Sequence, residues 1–141
     1  LPDDLHMLAI WSGEPASTIG YVAAVHRWRQ NNPIAYQSQI SALRDTATQC
    51  IDALGGGNTQ RVLAGIEQYD RHLERLSSIS GVDFYNQTHL KMRKKVELAR
   101  CSYKPSGAGG GDYGIAYSTD KEELLTLADQ LKREQKDTFV L

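Results

Sequence analysis

The stretch KPSGAGGGDYGIA, Lys104 to Ala116, sets four glycines within the five positions Gly107 to Gly111 and a carboxylate, Asp112, directly after them. Bare backbone can approach an anion where a side chain would block it. The N–H groups of Gly107, Ala108, Gly109, Gly110 and Gly111 could therefore line a phosphate site. Ser106 could donate to a phosphate oxygen, and Lys104 could set a positive charge at the loop's edge. Asp112 could orient a basic side chain or hold a magnesium-bound water. Each residue also has a plainer reading. The glycines could simply make a tight connection between two strands. Ser106 could bond its local backbone, Lys104 could face solvent beside a strand, and Asp112 could accept amides of the glycine turn. The spacing from Gly107 is GxGGGxxG, which is neither GxxxxGK[ST] nor GxGxxG.

The surrounding pattern supplies the elements that must hold this loop. His6 to Trp11 is a short apolar run that ends at Ser12, Gly13 and Pro15, so it reads as a buried strand. Ser17 or Thr18 caps a helix carrying Tyr21, Val22, Val25 and Trp28 at helical spacing, and Asn31, Asn32 and Pro33 end it. A second helix from Pro33 presents Ile40, Leu43, Ala47, Ile51 and Leu54 as one stripe. The run Gly55 to Asn58 stops it as a plain C-cap and turn. A third helix spans about Thr59 to Leu76, and a fourth starts near Asp83 as N-cap, with Phe84, Thr88, Met92, Val96 and Ala99 on one face. CSYKP and YGIAYS are extended segments on either side of the glycine loop. Thr119 or Asp120 caps a last helix, and DTFVL is a fourth strand. The fold class expected from this order is α+β: an antiparallel sheet of about four strands with helices packed on one face.

Composition narrows the functional classes. Sixteen Lys and Arg against seventeen Asp and Glu leave a net charge of -1, which argues against a general nucleic-acid surface and leaves room for a local phosphate site. The basic block KMRKK, Lys91 to Lys95, reads as a solvated helix face. Cys50 and Cys101 form no CxxC pair and are expected as buried free thiols, which makes the cytoplasm the default compartment. No zinc site is expected, nor is a membrane span. His26, His72 and His89 are isolated at helical positions and read as surface or packing residues rather than a metal triad. The chain opens on LPDDLHMLAIW without a starting Met. It is therefore expected to be one domain, residues 1–141, of a longer protein.

KPSGAGGGDYGIA closely resembles the third conserved motif of the GHMP kinase superfamily, in the form most like the phosphomevalonate kinases. WSGEPASTIGYV, Trp11 to Val22, resembles the strand and turn where a TGxPAST pattern leads into a helix. The resemblance covers essentially the whole chain but only the C-terminal part of such an enzyme. It implies a ferredoxin-like C-terminal domain facing an N-terminal kinase domain across the active site. ATP and Mg2+ would be the cofactors and a small phosphorylated alcohol, 5-phosphomevalonate, the substrate. The ATP loop PxxxGLGSSAA and the catalytic groups are expected in that upstream domain. On this resemblance Ser106, Gly107, Ala108, Gly109, Gly110, Gly111 and Asp112 would face the nucleotide phosphates, and Lys104, Ser17 and Thr18 the substrate. Glu14 stands where the pattern often has Lys, and Tyr113 where it often has Cys. A carboxylate at Glu14 that faced a phosphorylated substrate would repel it. The loop is not expected to pack the core, so a Gly109→Val change is expected to spare folding.

Overall fold

The computed structural model describes residues 1–107 and 109–141. Their elements run β1 (His6–Trp11), α1 (Thr18–Asn31), α2 (Pro33–Gly55), α3 (Thr59–Ser80), α4 (Gln87–Leu98), β2 (Ser102–Pro105), β3 (Tyr113–Ser118), α5 (Lys121–Arg133) and β4 (Thr138–Val140). The four strands form one sheet in the order β2-β3-β1-β4, with each neighbouring pair antiparallel. This is the ferredoxin-like arrangement, with four helices inserted between the first two strands. The expected α+β class and antiparallel sheet are what the chain forms.

Strand alternation sends Leu8, Ile10, Tyr103 and Ala116 to one face of the sheet. α4 covers that face with Met92 and Val96, and α5 with Leu124, Leu127, Ala128 and Leu131. α2 and α3 form a long antiparallel hairpin that runs along the β2 edge. Leu43, Leu73 and Leu76 of this hairpin close a second core over Val82, Phe84 and Tyr85. A third cluster joins Leu5, Ala53 and Val62 to Tyr117.

Two boundaries differ from the sequence reading. α3 continues to Ser80, where Gly81 adopts the left-handed conformation that ends it. α4 begins at Gln87 rather than near Asp83. Phe84 and Tyr85 are buried before the helix starts, and the Asn86 side chain accepts from the His89 N–H as the true cap. Among the two candidates for α5, Asp120 is the cap, accepting from the N–H groups of Glu122 and Glu123. Two stripes are less inward than their spacing suggests. Ile51 is 67% exposed, and α1 has no buried residue although Tyr21, Val25 and Trp28 lean on the second core. Cys101 is buried and Cys50 half-buried.

The layer formed by α5 on the sheet carries much of the stability. Leu124 is 1% exposed within it. Leu124→Ala is expected to lower the unfolding free energy by about 2–5 kcal/mol, read as a shift in urea midpoint without change in slope.

Candidate functional site around the glycine loop

The glycine loop leaves β2 at Ser106 and enters β3 at Tyr113, and the Ser106 N–H donates to Tyr113 O at 2.8 Å to close its base. Gly107, Gly109 and Gly110 have φ of +61°, +72° and +74°, and Asp112 follows at +55°. These are left-handed positions, where glycine is favoured and Asp is tolerated. Ala108 lies outside the described residues.

The loop does not stand clear of the domain. A Cβ on Gly109 would come within 2.2 Å of Phe84 O, and one on Gly111 within 2.7 Å of Glu14 O. On Gly110 it would lie 2.0 Å from the Tyr21 hydroxyl. Gly109, Gly110 and Gly111 are buried, whereas Gly107 is exposed at the tip with open space around it. The expectation that Gly109→Val spares folding is therefore overturned: any side chain at Gly109 collides with main chain that cannot swing away.

Two segments grip the loop. On one side lies the stretch leading into α4. The Gly110 N–H donates to Phe84 O at 2.5 Å. Asn86 Nδ2 donates to Gly110 O at 2.9 Å. His89 Nε2 lies 3.1 Å from Gly111 O. On the other side lies the turn after β1. The Asp112 N–H donates to Glu14 O at 2.7 Å, and the Ser12 N–H donates to Asp112 O at 2.8 Å. Asp112 Oδ1 accepts from the Ala16 N–H at 3.1 Å. Asp112 thus uses its carboxylate to tie the loop to the TGxPAST-like turn, which sequence reading alone could not choose among its roles.

His89 is fully buried and is the residue that sequence reasoning undervalued. Gly111 O can only accept, so Nε2 carries the proton, and in the neutral ring Nδ1 accepts from the Tyr103 hydroxyl at 2.6 Å. Burial holds the imidazole below its usual range. Tyr103 reaches it because Gly114 on the neighbouring strand has no side chain, since a Cβ there would sit 2.1 Å from the Tyr103 hydroxyl. A glycine inside a strand was the available signal, because it marks a close approach.

The other candidates occupy varied places. Ser17 is the cap of α1, its Oγ accepting from the Gly20 N–H at 3.3 Å, and Thr18 opens that helix; both are exposed. Lys104 turns back on the main chain, with Nζ donating to Pro105 O at 2.6 Å and lying 5.5 Å from the centre of the Tyr69 ring. Burial lowers its pKa. Within KMRKK, Arg93 is spoken for by Asp70 and Glu74 at 3.2 and 2.7 Å. Asp70 is buried, and that burial raises its carboxyl to about 6 despite the hydrogen bond from Tyr85 and the Arg93 charge. Lys91, Lys95 and Lys136 line a pocket of about 360 Å³ beside Ser12, Glu14 and Thr88, next to the turn that grips the loop, with Lys95 paired to Glu134 and Lys136 Nζ donating to Ser12 O at 3.2 Å. Among the described residues no three His, Cys, Asp or Glu side chains group as a metal site. Asp112, a carboxylate beside the loop, accepts from the Ala16 N–H through Oδ1.

The chain is 31% identical over 115 residues to phosphomevalonate kinase from Streptomyces sp. strain CL190, covering 82% of this chain and 31% of that protein. Solved structures share the backbone. The Lin0012 protein from Listeria innocua superposes with a TM-score of 0.86 at 27% identity, over 94% of this chain and 38% of that one. Streptococcus pneumoniae phosphomevalonate kinase, in complex with phosphomevalonate and AMPPNP, gives 0.78 at 23% identity, over 97% of this chain and 40% of that one. This is the fold of the C-terminal domain of the GHMP kinases. No family model matches the chain. It spans about a third of the length of the Streptomyces enzyme. Among the described residues no helix is long and apolar enough to cross a membrane.

Within this domain the loop glycines differ in kind. Gly107→Ala is expected to cost roughly 1–2 kcal/mol, the strain of a left-handed alanine in open space. Gly109→Ala adds loss of the Gly110–Phe84 hydrogen bond and is expected to cost roughly 3 kcal/mol or more. Thermal and denaturant unfolding of the two variants would separate them.

The buried imidazole also has a sign. Its folded pKa lies below the ordinary 6.5, so the unfolded chain binds the proton more readily. Stability from His89 is full above that ordinary value and is lost as pH falls through it toward the lower folded value. Asp70, raised to about 6, has the opposite slope, because its stabilising protonated form is lost as pH rises through that value. The His89 part is therefore read as a difference. Between about pH 7 and 5 the chain is expected to lose more stability than its His89→Gln variant, measured by unfolding midpoint.

Proposed function

We propose that this domain serves, in the full-length protein, an ATP-dependent kinase of the mevalonate pathway that converts 5-phosphomevalonate to 5-diphosphomevalonate. The observation that carries the reading is the 31% identity to the Streptomyces phosphomevalonate kinase. The glycine loop gripped against the TGxPAST-like turn supports it. ATP, with Mg2+ as its counter-ion, is the proposed phosphoryl donor, and an N-terminal kinase domain the proposed partner across the cleft.

Phosphoryl transfer depends mainly on positioning and charge stabilisation. The domain's contribution is a rigid edge of backbone donors. The Gly110 amide is consumed within the domain, and that of Gly109 makes a long bond to Ser106 O at 3.4 Å. Among the described residues the amides of Gly107 and Gly111 have no protein acceptor, and these are the ones we assign to phosphate oxygens, with Ser106 beside them. Ser17 and Thr18, exposed at the start of α1, stand on the substrate side of this reading. The pocket of Lys91, Lys95 and Lys136 supports an anionic acceptor chiefly through Lys91, since Lys95 pairs with Glu134 and Lys136 bonds Ser12 O, and Glu14 shares it. Lys104, folded back onto Pro105, is the weakest of the substrate contacts. The half-buried and buried free thiols Cys50 and Cys101 support a cytoplasmic setting.

A panel of mevalonate, 5-phosphomevalonate and 5-diphosphomevalonate, each offered with ATP and magnesium to the full-length enzyme, tests the reading. ADP release and a new diphosphate are expected with 5-phosphomevalonate. A preference for mevalonate, or decarboxylation of the diphosphate, would replace the substrate with that of a related GHMP enzyme. No turnover and no nucleotide binding would point to a non-catalytic domain on the same scaffold.

A further inference from the structure

Two side chains at the start of α4 pull on two consecutive carbonyls of the glycine loop. Asn86 Nδ2 donates to Gly110 O at 2.9 Å, and His89 Nε2 donates to Gly111 O. In a trans peptide the C=O and the following N–H point in opposite directions. Drawing Gly110 O toward Asn86 therefore turns the Gly111 N–H away from α4. Drawing Gly111 O toward His89 turns the Asp112 N–H away as well, and that group meets Glu14 O at 2.7 Å. The Gly111 N–H has no such acceptor among the described residues, although Gly111 is buried.

We propose that Asn86 and His89 are positioning residues that clamp the loop's carbonyls inward, so that the Gly111 N–H is held ready for an anionic oxygen of the bound phosphate. The inference rests on the phosphate-binding reading of the loop given above. The enforcement is layered. Asn86 is itself fixed, because its Oδ1 accepts from the His89 N–H at 3.1 Å while its Nδ2 serves the loop. His89 is fixed by Tyr103, which occupies the space left by Gly114.

Two variants separate positioning from stability. Asn86→Ser keeps a good helix cap and adds no charge, but it is too short to reach Gly110 O. His89→Phe keeps a ring and removes the donor, whereas His89→Gln retains an N–H at a similar reach. In the full-length enzyme assayed with ATP and 5-phosphomevalonate, Asn86→Ser and His89→Phe are expected to raise the KM of the ligand bound at the loop about tenfold, the effect of one hydrogen bond to a charged group. His89→Gln is expected to restore most of it. Leu124→Ala, a core change in α5 away from the lysine pocket, serves as the control: it should lower the melting temperature and leave KM unchanged. Hydrogen exchange of the loop peptide, followed by mass spectrometry, is the second readout. Faster loop exchange in Asn86→Ser and His89→Phe, but not in Leu124→Ala at matched stability, supports the clamp. Unchanged KM in both variants, or a KM shift equal to that of Leu124→Ala, overturns it. If the wild-type enzyme turns over no member of the panel, the functional reading fails, and the clamp is then judged on exchange alone. Unaltered loop exchange would sink it.

Discussion

The structure turns on a shortage of room between main chains. The backbone of Gly109 to Asp112 is laid between the turn after β1 and the segment entering α4, close enough that a single methyl group would strike a carbonyl on either side. Hydrogen bonds to Phe84, Asn86 and His89 hold one edge, and those to Ser12, Glu14 and Ala16 hold the other. Segments nearly a hundred residues apart are joined this way, and the first and last thirds of the chain meet at this loop. Glycine is required here first by packing. The part of the backbone that remains available to a ligand is what this packing leaves over.

That constraint organises the polar interior. His89 has a neutral ring between a hydroxyl and a carbonyl, and Asp70 sits beneath the hydroxyl of Tyr85 with Arg93 at its rim. Both of these buried side chains are matched in kind, so that their desolvation is offset by directed bonds. The same groups join α3 to α4 and α4 to the sheet. The Asp70–Tyr85–Arg93 group sets where α4 can begin, and α4 in turn sets where the loop can lie. The hydrophobic face of α4, Met92 and Val96, supplies adhesion to the sheet without specifying this register.

Much of this fold was legible in the sequence. The apolar run His6–Trp11, the extended segment Tyr113–Ser118, the Asn31–Pro33 break and a cap at Thr119 or Asp120 depend on local chemistry that residue type states directly. The KPSGAGGGDYGIA motif singled out the loop for the same reason, since a run of glycines marks backbone that is left-handed or closely approached. Start points such as Asn86 rather than Asp83 were less legible, because both residues are acceptable caps and the choice was made by burial of Phe84 and Tyr85.

The sequence by itself determined the element order, the α+β class and the position of the glycine loop, because these follow from periodicity, caps and steric freedom within a few residues. Only the tertiary structure decided what the loop touches. Residue types at Asn86, His89, Tyr103 and Gly114 allow surface, packing or ligand roles equally. Their separation along the chain hides that they form one connected path to Gly110 and Gly111. The same holds for Lys104, whose ammonium turned to the nearest carbonyl and an aromatic face, and for Asp112, whose carboxylate found a distant amide. Hydrogen-bond partners are chosen by proximity after folding, and proximity across 96 residues is not written in either residue alone.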